Sequence, residues 1–226
     1  MKQWDELPAE LQIDIIKPYY ENLSKKWFSL FCKRLFDIIV SFIMLVILFP
    51  LFIILAITIK MDSRGPVFYR QVRVTRYGKK FRIHKFRSMV VDADKGSLVT
   101  VKGDNRVTKI GRFIRKYRLD EISQLIDILQ GNMTFVGTRP EVPKYVAAYT
   151  DEMKATLLMR AGITSRASIY YKDEDKLLTN TENADEVYIK KILPEKMKYN
   201  LSDIKNYSFL KDIFTLFRTI GVVLKK

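Results

Sequence analysis

The chain has 226 residues, with 40 Lys and Arg against 25 Asp and Glu, and a net charge of +15. This length fits one domain with a short N-terminal appendage. The single cysteine, Cys32, excludes an internal disulfide, which is typical of a protein that faces the cytosol. No secretory signal is expected, because the one long apolar run begins late and follows an acidic segment.

Residues 1–34 combine acidic residues with scattered aliphatic and aromatic ones. Pro18 divides the segment, which favours a short surface helix followed by an interfacial helix with Trp27 at the level of the lipid headgroups. No group of side chains here is typical of catalysis. We therefore predict that residues 1–34 form an interfacial segment.

An apolar run of 22 residues without a charge extends from Ile38 to Ile59. As a helix, at about 1.5 Å per residue, it reaches roughly 33 Å and covers a hydrocarbon core of about 30 Å. Pro50 lacks an N–H near the middle, which predicts a kink or a break. Lys and Arg flank both ends, so the positive-inside rule selects neither. The residues alone leave open a kinked transmembrane span and a re-entrant helix that breaks at Phe49-Pro50 and returns.

The segment that follows is strongly basic, since residues 60–118 hold 18 Lys and Arg against four Asp. This charge suits a phosphorylated substrate, anionic lipid or nucleic acid, with a solvated basic face as the plain alternative. Two β-forming runs, 67–74 and 80–85, flank Tyr77-Gly78 and predict a hairpin. His84 has no second His or Cys nearby, so we expect a core or surface imidazole rather than a zinc ligand.

The remaining sequence predicts helices. Residues 92–107 resemble a loop, and Thr108 can cap a helix that ends near Lys116. Apolar residues at helical spacing from Leu119 to Leu129 predict a second helix, which Gly131 closes. A further helix begins at Pro143, and a chain break is expected at residues 162–164.

The C-terminal residues predict an amphipathic helix that ends in Lys225-Lys226. Its apolar face is formed by Leu210, Ile213, Phe214, Phe217, Ile220 and Leu224. Such a helix suits the membrane interface or, equally, the protein's own core.

Two adjacent carboxylates, Asp120 and Glu121, begin the helix that follows the basic segment. A helix start within a field of cations favours phosphate. A carboxylate there can act as a nucleophile towards phosphorus, as in enzymes that form an aspartyl phosphate. The structural alternative is that Asp120 is a helix N-cap and Glu121 a first-turn residue.

Several motifs occur in a fixed order along the chain. They are KRLFDI at 33–38, GPVFYRQ at 65–71, KFRSM at 85–89, DNRVTKIGRFIRKYRLDE at 104–121, GNMTFVGTRP at 131–140 and RAGIT at 160–164. With the apolar run and its central Pro50, this series resembles the bacterial sugar transferase family of small monotopic phosphoglycosyl transferases. The likeness extends from about Lys33 to the C terminus.

The resemblance implies an α+β, mainly helical fold on the cytosolic face of the bacterial inner membrane. Residues 35–60 would form a re-entrant membrane helix broken at Phe49-Pro50. Residues 61–226 would form a cytosolic catalytic domain with a small β-hairpin and amphipathic interfacial helices, including the C-terminal one. The implied reaction moves a sugar 1-phosphate from a UDP-sugar to polyprenyl (undecaprenyl) phosphate and releases UMP, as the first membrane step of surface-glycan synthesis.

The resemblance also implies roles for residues. Asp120 would be the nucleophile of a covalent aspartyl intermediate and a contact of Mg²⁺, with Glu121 as its partner. The phosphate groups would be held by Lys85, Arg87, Arg115 and Arg139. The loop that contacts the nucleotide sugar would include Thr138, Pro140 and Arg160.

Ser123, Thr138 and Ala161 depart from the family's motifs, and the sugar is left undetermined. The implied partners are a UDP-sugar, polyprenyl phosphate, membrane lipid and downstream glycosyltransferases, but not nucleic acid; the oligomeric state is left open. The alternative function is a non-catalytic, membrane-anchored basic module that binds anionic lipid or nucleic acid. Such a module would show steeply salt-dependent binding without turnover.

Overall fold

The computed structural model describes residues 1–91, 93, 105–172, 174 and 184–224, and within them the protein is mainly helical. The α-helices are α1 (Lys17–Ser24), α2 (Trp27–Asp62), α3 (Lys109–Lys116), α4 (Leu125–Leu129), α5 (Pro143–Val146), α6 (Arg166–Tyr170), α7 (Ala184–Val187), α8 (Leu193–Lys205) and α9 (Phe209–Leu224). The 3₁₀ segments are Ala9–Leu11, Arg76–Gly78, Leu119–Gln124 and Met153–Leu158, and a π-helical turn spans Tyr188–Ile192. The strands are β1 (Phe68–Tyr69), β2 (Val72–Val74), β3 (Lys80–Arg82), β4 (Lys85–Phe86), β5 (Met133–Val136) and β6 (Ala161–Thr164).

The predicted hairpin is confirmed. β2 pairs antiparallel with β3, and β1 pairs antiparallel with β4, so that Tyr69 lies opposite Lys85. The chain reverses at Tyr77 and Gly78, which have φ angles of 61° and 72°. The turn thus needs left-handed backbone at two positions, and Gly78 adopts it without a Cβ clash. The hairpin fixes Lys85 at the end of a short ladder.

The break expected at residues 162–164 is wrong, because these residues belong to β6. β6 pairs in parallel with β5, with Met133 opposite Ala161. A Cβ on Gly162 would lie 2.2 Å from the backbone nitrogen of Gly137. The glycine therefore permits close approach of two backbones rather than a turn.

The helix boundaries predicted from Thr108, Gly131 and Pro143 are confirmed. The Thr108 hydroxyl accepts a hydrogen bond from the Gly111 N–H at the start of α3. The second helix consists of a 3₁₀ segment followed by α4, and Gly131, with a φ of 83°, closes it. α5 begins at Pro143 as expected. Most of the predicted loop 92–107, together with Lys225 and Lys226, lies outside the described residues.

α2 is the one helix in the described part of the chain that is long and apolar enough to cross a membrane, judged by length and composition alone. Its 36 residues correspond to roughly 54 Å. It begins at Trp27, before the predicted boundary at residue 35. It is continuous through Pro50, so the predicted interruption at Phe49-Pro50 is not confirmed, and re-entry stays a prediction.

One face of α2 packs along the rest of the protein. Its first half contacts a cluster that includes Phe81, Leu125 and Phe135, and its second half contacts Phe86 and Ile114. The packed apolar residues of α2 are Phe36, Val40, Leu45, Leu48, Leu51, Phe52, Leu55 and Ile59. The opposite face leaves many large apolar side chains exposed. This helix therefore has a protein-facing stripe and a face suited to lipid.

Two buried charged side chains attach the first half of α2 to β5. The carboxylate of Asp37 accepts hydrogen bonds from the Thr134 hydroxyl at 2.7 Å and from the Phe135 N–H at 3.2 Å. Lys33 Nζ donates to the Val136 carbonyl at 2.7 Å and pairs with Asp212 of α9. Polar groups buried in this way are stable only with such partners. α2, β5 and α9 are thus joined at one point.

The two ends of the chain behave differently. Leu11, Ile16 and Leu23 are fully buried and pack with Leu158 and Met197, so the segment before α2 completes a core. In contrast, the predicted apolar face of α9 is largely exposed. Its exposed members are Leu210, Phe214, Phe217 and Ile220. Of the two settings expected for this helix, packing of this whole face against the core is not observed.

We predict that Asp37→Ala destabilises the protein by about 1–3 kcal/mol, because the Phe135 N–H and the Thr134 hydroxyl lose their buried acceptor. Asp37→Asn keeps one acceptor oxygen and should lose less. Denaturant unfolding in detergent, with exposed Asp14→Ala as the matched control, measures the difference. Equal stability of the Asp37→Ala and Asp14→Ala variants would show that the attachment contributes nothing.

Candidate active site

Asp120 and Glu121 lie side by side in the 3₁₀ segment Leu119–Gln124, and both carboxylates are largely buried. The residue before this segment, Arg118, has a left-handed backbone with a φ of 54°. The segment has no side-chain capping hydrogen bond at its start. The structural alternative, in which Asp120 serves as an N-cap, is therefore not observed.

Two cations from other segments meet the carboxylates. Lys85 of β4 places its Nζ 2.9 Å from Asp120 Oδ2 and 3.8 Å from Glu121 Oε1. Arg139, after β5, donates from its guanidinium to Glu121 Oε1 at 2.7 Å. Both cations are more exposed than the carboxylates. They lie between the buried acids and the surface, where an incoming phosphate would meet them.

The electrostatics of Glu121 follow from these contacts. Burial by itself raises the pKa of Glu121, but the charges of Arg139 and Lys85 outweigh burial and lower the pKa to about 2. In return, the Glu121 carboxylate raises the pKa of Arg139 above its usual value. Both groups therefore stay charged throughout the physiological range. The ion pair fixes Arg139 beside Asp120.

A buried network behind β4 holds Lys85 in place. The fully buried carboxylate of Asp127 contacts His84 twice, at the backbone N–H of His84 and at its ring Nδ1, at 2.8 Å each. Arg70 lies 2.6 Å from His84 Nε2. Because a guanidinium only donates, we assign the ring proton to Nδ1. Ser123 also donates to the His84 carbonyl, so the strand and the segment of the dyad are tied together. The expected core imidazole is thus observed.

A second buried network supports the loop that carries Arg139. Arg73 donates to the Pro140 carbonyl at 3.0 Å. The Tyr188 hydroxyl donates to Glu141 at 2.6 Å, and Lys196 donates to the same hydroxyl at 3.2 Å. The sequence analysis missed these residues. No local pattern marks them, because each contact joins segments distant along the chain.

Two of the four cations expected to hold phosphate form no ion pair with the dyad. Arg87 is buried and donates to the carbonyls of Ser63, Arg64 and Ile59, so it closes the C-terminal end of α2. Arg115 lies in the last turn of α3 and forms no ion pair within the described residues. Only Lys85 and Arg139 of the predicted set contact the carboxylates.

The backbone segments that carry the residues expected to contact the nucleotide sugar lie close together. The Thr138 carbonyl accepts from the Gly162 N–H at 2.8 Å, and Thr138 lines a cavity next to α9. Pro140 supplies the carbonyl that binds Arg73. The Arg160 side chain donates to the Gly131 carbonyl at 2.9 Å, while the Arg160 carbonyl would lie 2.8 Å from a Cβ on Gly137, the residue before Thr138. Thr138 and Arg160 are therefore neighbours along the backbone, and their contact with a nucleotide sugar stays a prediction.

The dyad offers few protein ligands for a metal ion. Among the described residues, no group of three or more His, Cys, Asp or Glu side chains is arranged to hold an ion. Mg²⁺ needs few protein ligands, however, since it commonly binds one or two carboxylates together with water and substrate phosphates. Asp120 and Glu121 fit that donor set, with the phosphate oxygens of the substrate completing it.

Comparison with known proteins matches the sequence of this chain to one family. The family described as bacterial sugar transferase matches residues 28–226. Similar proteins include the UDP-N-acetylgalactosamine-undecaprenyl-phosphate N-acetylgalactosaminephosphotransferase of Aeromonas hydrophila, 33% identical over 198 residues, covering 86% of this chain and 44% of that protein.

Two further relatives carry other sugars in their names. The UDP-glucose:undecaprenyl-phosphate glucose-1-phosphate transferase of Klebsiella pneumoniae is 34% identical over 193 residues, covering 83% of this chain and 39% of that protein. The undecaprenyl-phosphate galactose phosphotransferase of Salmonella typhimurium is 34% identical over 221 residues, covering 91% and 43%. The chain thus spans less than half the length of these three relatives. Since the family match covers most of the chain and includes the dyad, the chain belongs to the bacterial sugar transferase family.

Proposed function

We propose that this protein transfers a sugar 1-phosphate from a UDP-sugar to polyprenyl phosphate and releases UMP. The observation that carries the proposal is the array of two carboxylates and two cations formed by Asp120, Glu121, Lys85 and Arg139. The names of the relatives support the same substrates, since each contains undecaprenyl phosphate. A buried acid that is held by cations at the edge of a basic surface can both bind phosphate and react with it.

The chemistry proceeds in two displacements. An Asp120 oxygen attacks the β-phosphorus of the UDP-sugar, and the bond to the bridging oxygen breaks, so that UMP leaves with the electron pair. The phosphate of the polyprenyl lipid then attacks the same phosphorus and releases the Asp120 carboxylate. Lys85 and Arg139 stabilise the charge on the phosphoryl oxygens during each displacement, and Glu121 keeps Arg139 in position.

Mg²⁺ would bind at Asp120 and, when bound, would neutralise part of the negative charge of the diphosphate. The chain itself contributes positioning. Asp120 is held by Lys85, whose strand is tied to Asp127 through His84. The low exposure of Asp120 also keeps water away from the nucleophile.

A re-entrant arrangement of α2 at the cytosolic face of the bacterial inner membrane accompanies this function. One domain holds α2 at Lys33 and Asp37 near its start and at Ile59 and Asp62 near its end. There, the Ile110 N–H donates to Asp62, and Ile59 packs on the core. Attachment of both ends to one domain supports their location on the same side of the membrane. The polyprenyl acceptor would approach the dyad from that membrane.

The relatives do not select the sugar, because three proteins of nearly equal identity carry N-acetylgalactosamine, glucose and galactose in their names. The product would be the first lipid-linked sugar of a surface glycan, on which downstream glycosyltransferases act. The non-catalytic basic module is the second candidate. The concentration of positive charge in residues 60–118 favours it. The buried dyad argues against it, since phosphate binding alone does not require one.

We predict that Asp120→Asn abolishes UMP release from a panel of UDP-sugars with polyprenyl phosphate and Mg²⁺. The amide has the same shape but is not a nucleophile towards phosphorus. Without acceptor, a UDP-sugar labelled at the β-phosphate should leave label on the wild-type protein and none on the variant. Double-reciprocal rate plots should be parallel, as for a two-step exchange.

Asp151→Asn is the matched control, since Asp151 lies in an exposed ion pair with Lys154 away from the dyad. It should keep normal turnover. Near-normal activity of Asp120→Asn would overturn the mechanism. Intersecting plots together with no trapped label would instead indicate direct transfer in a ternary complex, and the covalent step would be wrong. Salt-dependent binding without UMP release from any donor would favour the non-catalytic module.

We also predict that tags at residue 2 and after Lys226 are both cytosolic, because one domain holds both ends of α2. Labelling of intact cells with a membrane-impermeant reagent measures this. Pro50→Ala should favour a straight span by restoring the missing backbone donor. If one terminus of the wild-type protein is external, the re-entrant model is wrong. That result would not bear on the chemistry of the dyad.

The ion pair predicts a pH dependence of stability. Because the folded-state pKa of Glu121 is about 2, below its usual value of 4.5, the pair stabilises the fold fully above pH 4.5 and loses this effect as pH falls towards 2. Arg139→Gln should therefore lower the free energy of unfolding at pH 6, and this loss should be smaller at pH 3. Denaturant unfolding in detergent measures both values. An equal loss of unfolding free energy at both pH values would exclude the ion pair as the cause of the loss.

A further inference from the structure

A cavity of about 480 Å³ lies between α9, the C-terminal end of α8 and the loops that follow β5 and β6. Thr138 lines it, but neither the dyad nor Lys85 or Arg139 does. The cavity is therefore next to the candidate active site without being part of the array of charges. Its wall combines apolar side chains with polar and charged ones, among them the buried amide of Asn200 and two cations of α9.

The amide belongs to Asn200, which is only 4% exposed. Its Nδ2 donates weakly to the sulfur of Met197 at 3.6 Å. Its Oδ1 is buried and finds no donor within the described residues. A buried amide oxygen without a partner is costly, by about 1–3 kcal/mol. Asn200 lines the cavity, so a ligand hydroxyl or N–H would satisfy this oxygen once the amide turns towards it.

The two cations of α9 are Lys211 and Arg218, which lie about two turns apart on the helix. The other charges of the wall are already neutralised, since Arg166 pairs with Asp203 and Asp212 pairs with Lys33. Within the described residues, Lys211 and Arg218 form no ion pair. Lys211 donates to a backbone carbonyl at 3.3 Å, and Arg218 lies over an aromatic ring. The wall thus has an excess of positive charge, which suits a phosphate group.

The mouth of the cavity is apolar. Leu210 and Phe214 line the cavity and are 77% and 70% exposed. They continue into Phe217 and Ile220 along the exposed stripe of α9. An amphipathic helix with such an exposed stripe is suited to the membrane interface. The cavity would then open at the depth of the lipid headgroups.

We propose that this cavity binds the headgroup of an anionic phospholipid that carries hydroxyl groups. Its phosphate would lie between Lys211 and Arg218, and a headgroup hydroxyl would donate to Asn200 Oδ1. The acyl chains would follow Leu210 and Phe214. A soluble nucleotide sugar offers similar phosphate and hydroxyl groups, but the apolar mouth favours a molecule that brings hydrocarbon chains. This site does not depend on the proposed transferase reaction.

The test uses the full chain in detergent micelles and native mass spectrometry to count bound lipid. Phosphatidylglycerol should bind in preference to phosphatidylcholine. Lys211→Gln and Arg218→Gln should each weaken phosphatidylglycerol binding about fivefold. Lys60→Gln is the matched control: the same charge is removed from an exposed position at the end of α2, and binding should not change.

A second comparison isolates the amide. Asn200→Leu should abolish the preference for phosphatidylglycerol over phosphatidic acid, whose headgroup lacks the glycerol hydroxyls, without changing the binding of phosphatidic acid. Should this variant fail to fold, judged by thermal unfolding, the two cation variants carry the test. If Lys60→Gln weakens phosphatidylglycerol binding as much as Lys211→Gln does, the lipid is attracted by surface charge in general, and the proposed site is wrong. Displacement of phosphatidylglycerol by a UDP-sugar would assign the cavity to the nucleotide sugar and overturn it as well.

Discussion

The attachment of α2 to β5 through Asp37 and Lys33 is the interaction on which the rest of the arrangement depends. It joins the helix with the exposed apolar face to the strand that leads into Arg139. Because the same lysine pairs with Asp212, α9 is held at the same point. The apolar surfaces of α2 and α9 and the loop beside the dyad are therefore positioned by one buried polar cluster, which cannot shift without leaving charges unpaired.

The candidate active site combines three distant segments. β4 contributes Lys85, the 3₁₀ segment contributes the two acids, and the loop after β5 contributes Arg139. The contacts of Lys85 with Asp120 and of Arg139 with Glu121 are short, but the cations remain partly exposed. A phosphate could therefore replace a carboxylate as the partner of Lys85 or Arg139 without unfolding the site, as the proposed sequential binding of two phosphorylated substrates would require.

Some features of the fold could be predicted because the signals are local. The hairpin depends on Tyr77-Gly78, the start of α3 on the Thr108 hydroxyl, and the end of α4 on Gly131. Residues 162–164 were misread, because a glycine needed for contact between two backbones has the same sequence pattern as one needed for a turn. The amphipathic face of α9 was predicted, and of the two settings left open for it, packing of the whole face against the core is not observed.

The sequence by itself determined the family, the pair Asp120-Glu121, the apolar run and the concentration of positive charge, since each is visible within a short stretch. Only the tertiary structure decided which cations serve the dyad. Arg87 and Arg115 share the basic segment with Lys85, yet only Lys85 reaches Asp120, since Arg87 binds carbonyls at the end of α2 and Arg115 lies on another helix. Contacts between distant segments depend on how β4, β5 and α2 pack together, and no spacing along the chain encodes that packing directly.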